Sequence, residues 1–148
     1  KYVAEKVASA AGADLIGIEP EKKFPAKGLR KFLVGGRSAV TGATPALMPY
    51  EFRPEGYDRV VLAAPVWASS PAPPMNTFIR DNGEGLRGKK IALILCFKGG
   101  GGDKAAEKVK KLLGIDSFEA EMTLVDPKKN AGYDVDKKIA EFVKKITE

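Results

Sequence analysis

The sequence predicts an α/β protein in which helices cover both faces of a mostly parallel sheet, a three-layer α/β/α sandwich. Two continuous apolar segments, at residues 58–64 and 90–97, have the composition of strands buried on both faces of a parallel sheet. Amphipathic helical patterns alternate with these segments along the chain. Alternating buried strands and amphipathic helices are typical of this layered architecture.

The N-terminal part of the chain predicts a helix and a strand, then a long connection that contains a second helix, and then a second strand. Apolar residues at helical spacing predict a helix over residues 1–11, which Gly12 can end. An apolar run at 13–20 predicts a strand that Pro20 ends. Residues 21–57 form a connection in which we expect a basic helix at about 25–36. The strand at 58–64 follows.

The C-terminal part predicts three more helices and two strands. A helix begins near Pro73–Pro74, because proline is tolerated in a first helical turn. After the strand at 90–97, Asp103 is the expected N-cap of a helix. Residues 117–125 alternate apolar and polar side chains, which predicts a strand at or near the sheet edge. A last amphipathic helix covers about 134–147. No linker or repeat interrupts the chain, so we expect a single domain over residues 1–148.

Two features of the composition exclude several classes of chemistry. The sequence contains no His and one Cys, Cys96. Catalysis by Ser-His-Asp or Cys-His groups, an internal disulfide and an iron–sulfur cluster are therefore excluded. We interpret Cys96 as a small buried residue, and we expect a reducing, cytoplasmic compartment. No acid–base pair or metal site is evident, so any redox chemistry must come from a bound organic cofactor.

The surplus of positive charge is concentrated in one stretch. The net charge is +6, and residues 22–37 contain six basic residues and no acid. This stretch is either a patch for an acidic partner, a phosphate or a nucleic acid, or a solvated helix face. The stretch contains no nucleic-acid recognition motif, which argues against nucleic acid. The apolar runs of about seven residues are too short to span a membrane, and we expect no membrane partner.

Two loops at the carboxyl ends of the buried strands are candidates for a ligand site. The first carries the single Trp of the chain and consists of Pro65, Val66, Trp67, Ala68, Ser69, Ser70 and Pro71. A planar ligand could stack on the indole, or the indole could pack the loop onto the sheet. The second loop consists of Phe97, Lys98, Gly99, Gly100, Gly101 and Gly102. It either allows backbone N–H groups to approach a ligand or forms a flexible turn.

The residues of these loops resemble a known family. The chain reads YDRVVLAAPVWASSPAPPMNTFI at 57–79, LRGKKIALILCFKGGGG at 86–102 and KFLVGGRSAVTGATPAL at 31–47. These segments resemble the flavodoxin-like proteins of the small flavodoxin subfamily, whose pattern is "PVW.G.PAP" followed by "L.GKK.AL". The resemblance implies a sheet ordered 2-1-3-4-5 that holds FMN at the point where the strand order reverses. It also implies that the loop at 65–71 lies along the flavin ring and that the loop at 97–101 contacts its pyrimidine edge.

The sequence departs from this family at its beginning and in its charge. The family's first strand and its phosphate-binding loop have no counterpart here, because residues 1–11 resemble the helix that follows them. We therefore expect the central strand and the phosphate-binding residues to lie upstream of Lys1. Alternatively, the remaining strands close up, or another chain supplies the missing strand. Electron-carrying flavodoxins are typically acidic, whereas this chain is basic. The basic surround, including Lys98, implies a less negative reduction potential for the flavin and redox partners with acidic surfaces.

The function that the resemblance implies is FMN-dependent electron transfer. In this role the chain is an electron carrier, with FMN as cofactor and a redox partner protein. Two alternatives remain open: an FMN-dependent oxidoreductase acting on a quinone or another small acceptor, and a cofactor-free interaction module with the same fold. No catalytic residue is assigned.

Overall fold

The computed structural model describes residues 1–148 and contains one four-stranded sheet. Its strands are β1 Arg59–Trp67, β2 Ser70–Pro71, β3 Lys90–Phe97 and β4 Ala120–Val125. The strand order is β2-β1-β3-β4; β3 is parallel to both β1 and β4, and the short β2 is antiparallel to β1. The predicted strands at 58–64 and 90–97 are thus parallel neighbours, and the strand predicted at the edge forms the edge.

Helices cover both faces of this sheet, which confirms the predicted α/β/α architecture. They are α1 Tyr2–Ala11, α2 Arg37–Val40, α3 Pro73–Leu86, α4 Gly102–Leu113 and α5 Tyr133–Thr147. A π-helical turn, Lys31–Gly36, runs directly into α2, and a 3₁₀ turn covers Pro54–Gly56. The side chains of α3 and α4 share one hydrophobic core with the sheet, and those of α1 and α5 share another. No helix has both the length and the apolar composition needed to cross a lipid bilayer.

Strand β3 joins the two cores. Its four central side chains, Ala92, Leu93, Ile94 and Leu95, are at most 1% exposed. Successive side chains of a strand point to opposite faces. Leu93 and Leu95 accordingly enter the core under α3 and α4, whereas Ala92 and Ile94 enter the core under α1 and α5. Each large side chain contributes about 1.5–3 kcal/mol by leaving water, so β3 fixes the positions of all three layers.

The strand predicted at 13–20 is wrong. Residues 13–19 adopt no regular structure, and only Pro20 forms an isolated bridge, to Leu47. An extended segment becomes a strand only when a neighbour completes its ladder of backbone hydrogen bonds. The segment is not part of the sheet, and no strand pairs with it along its length. The apolar composition of the run is therefore insufficient, and Leu15 remains 52% exposed.

The basic helix in the long connection begins later than predicted. Instead of 25–36, helical geometry covers 29–40, including the π-helical turn. The residues after it are attached to α3 by buried side chains. Asn76 Nδ2 donates to the Ala43 carbonyl at 3.1 Å, and Thr77 Oγ1 donates to the Pro45 carbonyl at 2.7 Å. These hydrogen bonds hold the connection against the helix that follows β2.

Two other predicted boundaries need correction. The N-cap of α4 is Gly101, and Asp103 lies inside the first turn, where its negative charge still suits the helix dipole. Strand β4 begins at Ala120 and not at residue 117. Glu119, just before it, forms a bidentate ion pair with Arg59 across the sheet, with N–O distances of 2.5 and 2.6 Å. By contrast, the predicted cap of α1 is confirmed, since Gly12 has a φ of 63°.

The Glu119–Arg59 pair makes stability dependent on pH. The hydrogen bonds from Arg59 lower the pKa of Glu119 below its ordinary value of 4.5. The pair therefore stabilises the fold fully above that ordinary value, and the contribution is lost as pH falls through the lowered pKa. We expect Glu119→Gln to reduce the free energy of unfolding by about 0.5–1 kcal/mol at pH 7 and by much less at pH 3. Urea denaturation at both pH values measures this difference.

A matched control is Glu51→Gln. Glu51 also pairs with an arginine, Arg53, but both side chains are more than 70% exposed. This substitution should change stability little at either pH, because exposed ion pairs contribute little. An equal loss for Glu119→Gln at pH 7 and pH 3 would contradict the role given to the pair.

Candidate functional site

The first predicted loop is a tight β-hairpin. β1 ends at Trp67, a two-residue turn reverses the chain, and Ser70 pairs back with Trp67. The turn residues Ala68 and Ser69 have φ values of 47° and 57°. Positive φ at both positions is the geometry of a type I′ turn, which normally uses Gly, Asn or Asp. Non-glycine residues of this kind cost about 1–2 kcal/mol each, so the hairpin stores strain at the carboxyl edge of the sheet.

A lysine of α4, Lys108, forms a hydrogen bond with this hairpin. Ser70 is 1% exposed, and its Oγ accepts a hydrogen bond from Lys108 Nζ at 2.5 Å. The same hydroxyl donates to the Ala68 carbonyl at 3.4 Å. The Ser70 hydroxyl is therefore engaged inside the protein. Lys108 was not a sequence candidate, because its position in α4 fits the ordinary polar face of an amphipathic helix.

The glycines of the second loop divide into two pairs. Gly101 has a φ of 88°, and Gly102 is buried so closely against Phe97 that an added Cβ would lie 2.6 Å from the ring. These two glycines are required by the fold. Gly99 and Gly100 are exposed, and a Cβ on either would meet no heavy atom within 4 Å. Their backbone is open for the close approach of a ligand.

The structure brings the two predicted loops into contact. Pro65 of β1 lies beside Cys96 of β3 in the parallel ladder, so both loops leave the sheet side by side. At their tips, a Cβ on Gly101 would lie 2.4 Å from Ser69 Oγ and 2.9 Å from Ser69 Cα. Only a residue without a side chain fits there. The turn and the glycine loop therefore form one continuous surface, to which Lys98 adds an exposed positive charge.

Trp67 is packed by the long connection. The edge of one ring of the Phe24–Trp67 pair meets the face of the other, with centroids 5.2 Å apart and planes at 85°. An added Cβ on Gly35 would lie 3.6 Å from the indole. Trp67 therefore has a packing role, but against the long connection, and it remains partly exposed. Neither Phe24 nor Gly35 carried a sequence signal, because the contact depends on how the connection folds back.

The remaining candidate residues shape the edge without adding reactive groups. The Pro65 carbonyl accepts a hydrogen bond from the Ala72 N–H at 3.0 Å, and Val66 pairs with Pro71. Burial raises the pKa of the Cys96 thiol, which makes it a poor nucleophile. No group of three or more His, Cys, Asp or Glu side chains is placed to hold a metal ion.

A cleft of about 370 Å³ lies beside this edge. It is formed by the connection and includes Phe24, which contacts Trp67. Its other walls include Lys22, Val34 and Thr44. The cleft is therefore next to the Trp67 side of the hairpin.

The contact between Ser69 and Gly101 predicts coupled effects on stability. We expect Ser69→Gly to raise the free energy of unfolding by about 0.5–1 kcal/mol, because relief of the left-handed strain exceeds the entropic cost of glycine. Gly101→Ala should lower it by about 2 kcal/mol or more, through strain and the collision with Ser69. In the double variant the loss should be smaller, with a coupling of about 1 kcal/mol. Urea denaturation of the four proteins measures the cycle.

Ser69→Ala is the control for the hydroxyl. Alanine keeps both the Cβ and the left-handed cost, so this variant should gain little stability. Additive effects of Ser69→Gly and Gly101→Ala would contradict the contact between the two loops.

Comparison with known proteins agrees with this fold. A flavoprotein from Lactobacillus acidophilus NCFM, solved in complex with FMN, superposes with a TM-score of 0.71 at 16% sequence identity, over 87% of this chain and 86% of that one. A protein from Bacteroides eggerthii DSM 20697, described as a flavoprotein, gives a TM-score of 0.70 at 21% identity, over 95% and 88%. One from Bacteroides uniformis ATCC 8492, with the same description, gives 0.71 at 19%, over 94% and 88%.

The sequence comparisons identify the family. No curated protein matches the chain significantly. The sequence model of a family described as flavodoxin, however, matches residues 1–146. This match covers almost the whole chain, including both loops of the site. The chain belongs to the flavodoxin family.

Proposed function

We propose that this chain binds FMN at the carboxyl edge of β1 and β3 and acts in electron transfer. The observation that carries the proposal is the contact of the Trp67 hairpin with the glycine loop, which joins the two sequence candidates into one surface. Membership of the flavodoxin family supports it. The structure from Lactobacillus acidophilus, which has this fold, was solved with FMN.

The residues at this edge fit the ring of a flavin. Gly99 and Gly100 leave their backbone uncovered, so the edge of a planar ligand can approach their N–H groups. Trp67 offers an aromatic surface on the other loop, held in place by Phe24. The strained turn between them, at Ala68 and Ser69, keeps the two surfaces at a fixed separation.

Each of these residues acts by position and charge. FMN, when bound, supplies the redox chemistry itself. Lys98 lies at the start of the glycine loop, and Lys108 lies beneath the hairpin with its ammonium on Ser70. Two positive charges at this edge favour a ligand that gains negative charge on reduction. We therefore propose that the chain makes the flavin a weaker reductant than an acidic surround would.

The open surface favours a carrier over a small-molecule reductase. Gly99 and Gly100 are exposed, so the proposed ring edge faces solvent, where another protein can reach it. A reductase requires a pocket over the ring for its substrate. The cleft near Phe24 is the feature that favours this second function. It borders Phe24, which contacts Trp67, and its lysines, Lys22 and Lys23, are exposed.

FMN titration tests the proposed site. We expect the chain to bind FMN, with quenching of the flavin and Trp67 fluorescence as readouts. Trp67→Ala should weaken binding by about 1–3 kcal/mol, the magnitude found for stacking of a base on an aromatic side chain. Gly100→Val should weaken it about tenfold, or 1.4 kcal/mol, because a side chain there would occupy the approach to the backbone. The affinity follows from flavin fluorescence at constant protein concentration.

Gly83→Val is the matched control. Gly83 is exposed in the second half of α3, and a Cβ there also meets nothing within 4 Å. Thermal unfolding without flavin separates loss of the ligand contact from loss of the fold in Trp67→Ala. Unchanged affinity in both Trp67→Ala and Gly100→Val would exclude this edge as the site. Binding by none of the proteins, wild type included, would contradict the proposed function.

A further inference from the structure

A row of large apolar side chains faces solvent on the helical segment formed by residues 29–40. Leu29, Phe32, Leu33 and Val40 are 75%, 73%, 63% and 61% exposed. Phe32 and Leu33 are neighbours in the chain, and Leu29 and Val40 lie near the two ends of the same helical segment. A soluble surface tolerates single exposed apolar residues, but a contiguous row marks an interaction site.

Basic side chains surround this row. Arg30, Lys31 and Arg37 lie on the same helical segment, and Lys22, Lys23 and Lys27 precede it. All six are exposed, and none of them forms an ion pair within the chain. No acidic residue occurs from residue 22 to residue 50. The segment therefore combines an apolar centre with an uncompensated positive rim.

The inner side of the same segment contacts the candidate FMN site. Gly35 is buried against the Trp67 indole, with 3.6 Å between a Cβ placed on Gly35 and the ring. Ala39, one turn later, is 2% exposed. A π-helical turn, Lys31–Gly36, forms the part of the segment that carries Phe32 and Leu33. A molecule that docks on its outer side would therefore be separated from Trp67 by a single helical layer.

The positive charge of this surface indicates which kind of partner it can bind. A second copy of this chain would bring six positive charges against six, and like charges opposed across an interface cost several kcal/mol. A partner with acidic residues around an apolar patch matches both features. The closeness of the surface to Trp67 favours a partner that exchanges electrons with the site. An anionic lipid surface would match the charge but not this position.

We propose that the helical segment 29–40 is the docking surface for an acidic electron-transfer protein. Leu29, Phe32 and Leu33 form the apolar centre of this interface, and Arg30 and Lys31 belong to its basic rim. The rim steers association and the apolar centre slows dissociation. This inference rests on the proposed function of the neighbouring site, since it takes the partner's role from that site.

A plant-type [2Fe–2S] ferredoxin, which is a small acidic electron carrier, is a suitable probe. We expect the wild-type chain to bind it at low salt, with affinity that falls as salt rises. Phe32→Ser/Leu33→Ser, which leaves the charge unchanged, should weaken binding about tenfold. Arg30→Glu/Lys31→Glu should weaken it further and reduce the salt dependence. Isothermal titration calorimetry with the oxidised ferredoxin measures each affinity without any need for flavin.

Lys137→Glu/Lys138→Glu is the matched control for charge. Both lysines are exposed on α5, whose buried side chains belong to the core shared with α1. This variant changes the net charge by the same amount as Arg30→Glu/Lys31→Glu. Its affinity for the ferredoxin should change less than threefold. An equal loss in this control and in Arg30→Glu/Lys31→Glu would show attraction to net charge alone and would overturn the proposal. Unchanged binding by Phe32→Ser/Leu33→Ser would overturn it too.

Two further measurements distinguish the docking surface from a membrane-binding surface and from the proposed FMN site. Binding of the wild-type chain to phosphatidylglycerol vesicles, with no binding of the ferredoxin, would assign the surface to a membrane and would overturn the proposal. FMN affinity should be the same in all these variants, because the substituted side chains are exposed and the segment meets Trp67 at Gly35. Ferredoxin binding without any FMN binding would contradict the proposed function while it supports the docking surface.

Discussion

The burial of β3 on both faces is the constraint from which the rest of the structure follows. Its residues 92–95 are completely enclosed, and each face of the strand is the centre of one core. A strand held in this way fixes the register of β1 beside it, where Pro65 lies next to Cys96. The loops after both strands must then leave the sheet at adjacent points. The site is built from two loops because one buried strand determines where both begin.

Strain and close packing then shape the site. Ala68 and Ser69 hold a left-handed turn that glycine would form at lower cost, and Gly101 fills the one place where the turn leaves no room for a side chain. Lys108 anchors the turn through the buried Ser70 hydroxyl. The strain is compensated by these contacts and by the packing of Trp67 against Phe24. What remains free at the edge is the backbone of Gly99 and Gly100.

Sequence patterns predicted most of the layers, because buried strands and amphipathic helices leave strong periodic signals. The same reasoning failed at residues 13–20, where an apolar run has no strand beside it to complete a ladder. Asp103 was predicted as the N-cap of α4, whereas the helix begins at Gly102, which packs against Phe97. That contact depends on the fold and leaves no signal in the sequence. The two candidate loops were selected from their position after the buried strands, their composition and the family resemblance, and the structure brings them into contact. Phe24, Gly35 and Lys108 were not, since their roles depend on contacts between distant parts of the chain.

NMR tests most directly whether a flavin ring lies where the Trp67 hairpin meets the glycine loop. In a ¹H–¹⁵N spectrum of the labelled chain, added FMN should shift the backbone amides of Gly99 and Gly100 and the indole N–H of Trp67. The amides of α5, in the opposite layer, should keep their positions. Shifts confined to other parts of the chain, with those of Gly99, Gly100 and Trp67 unchanged, would contradict the account.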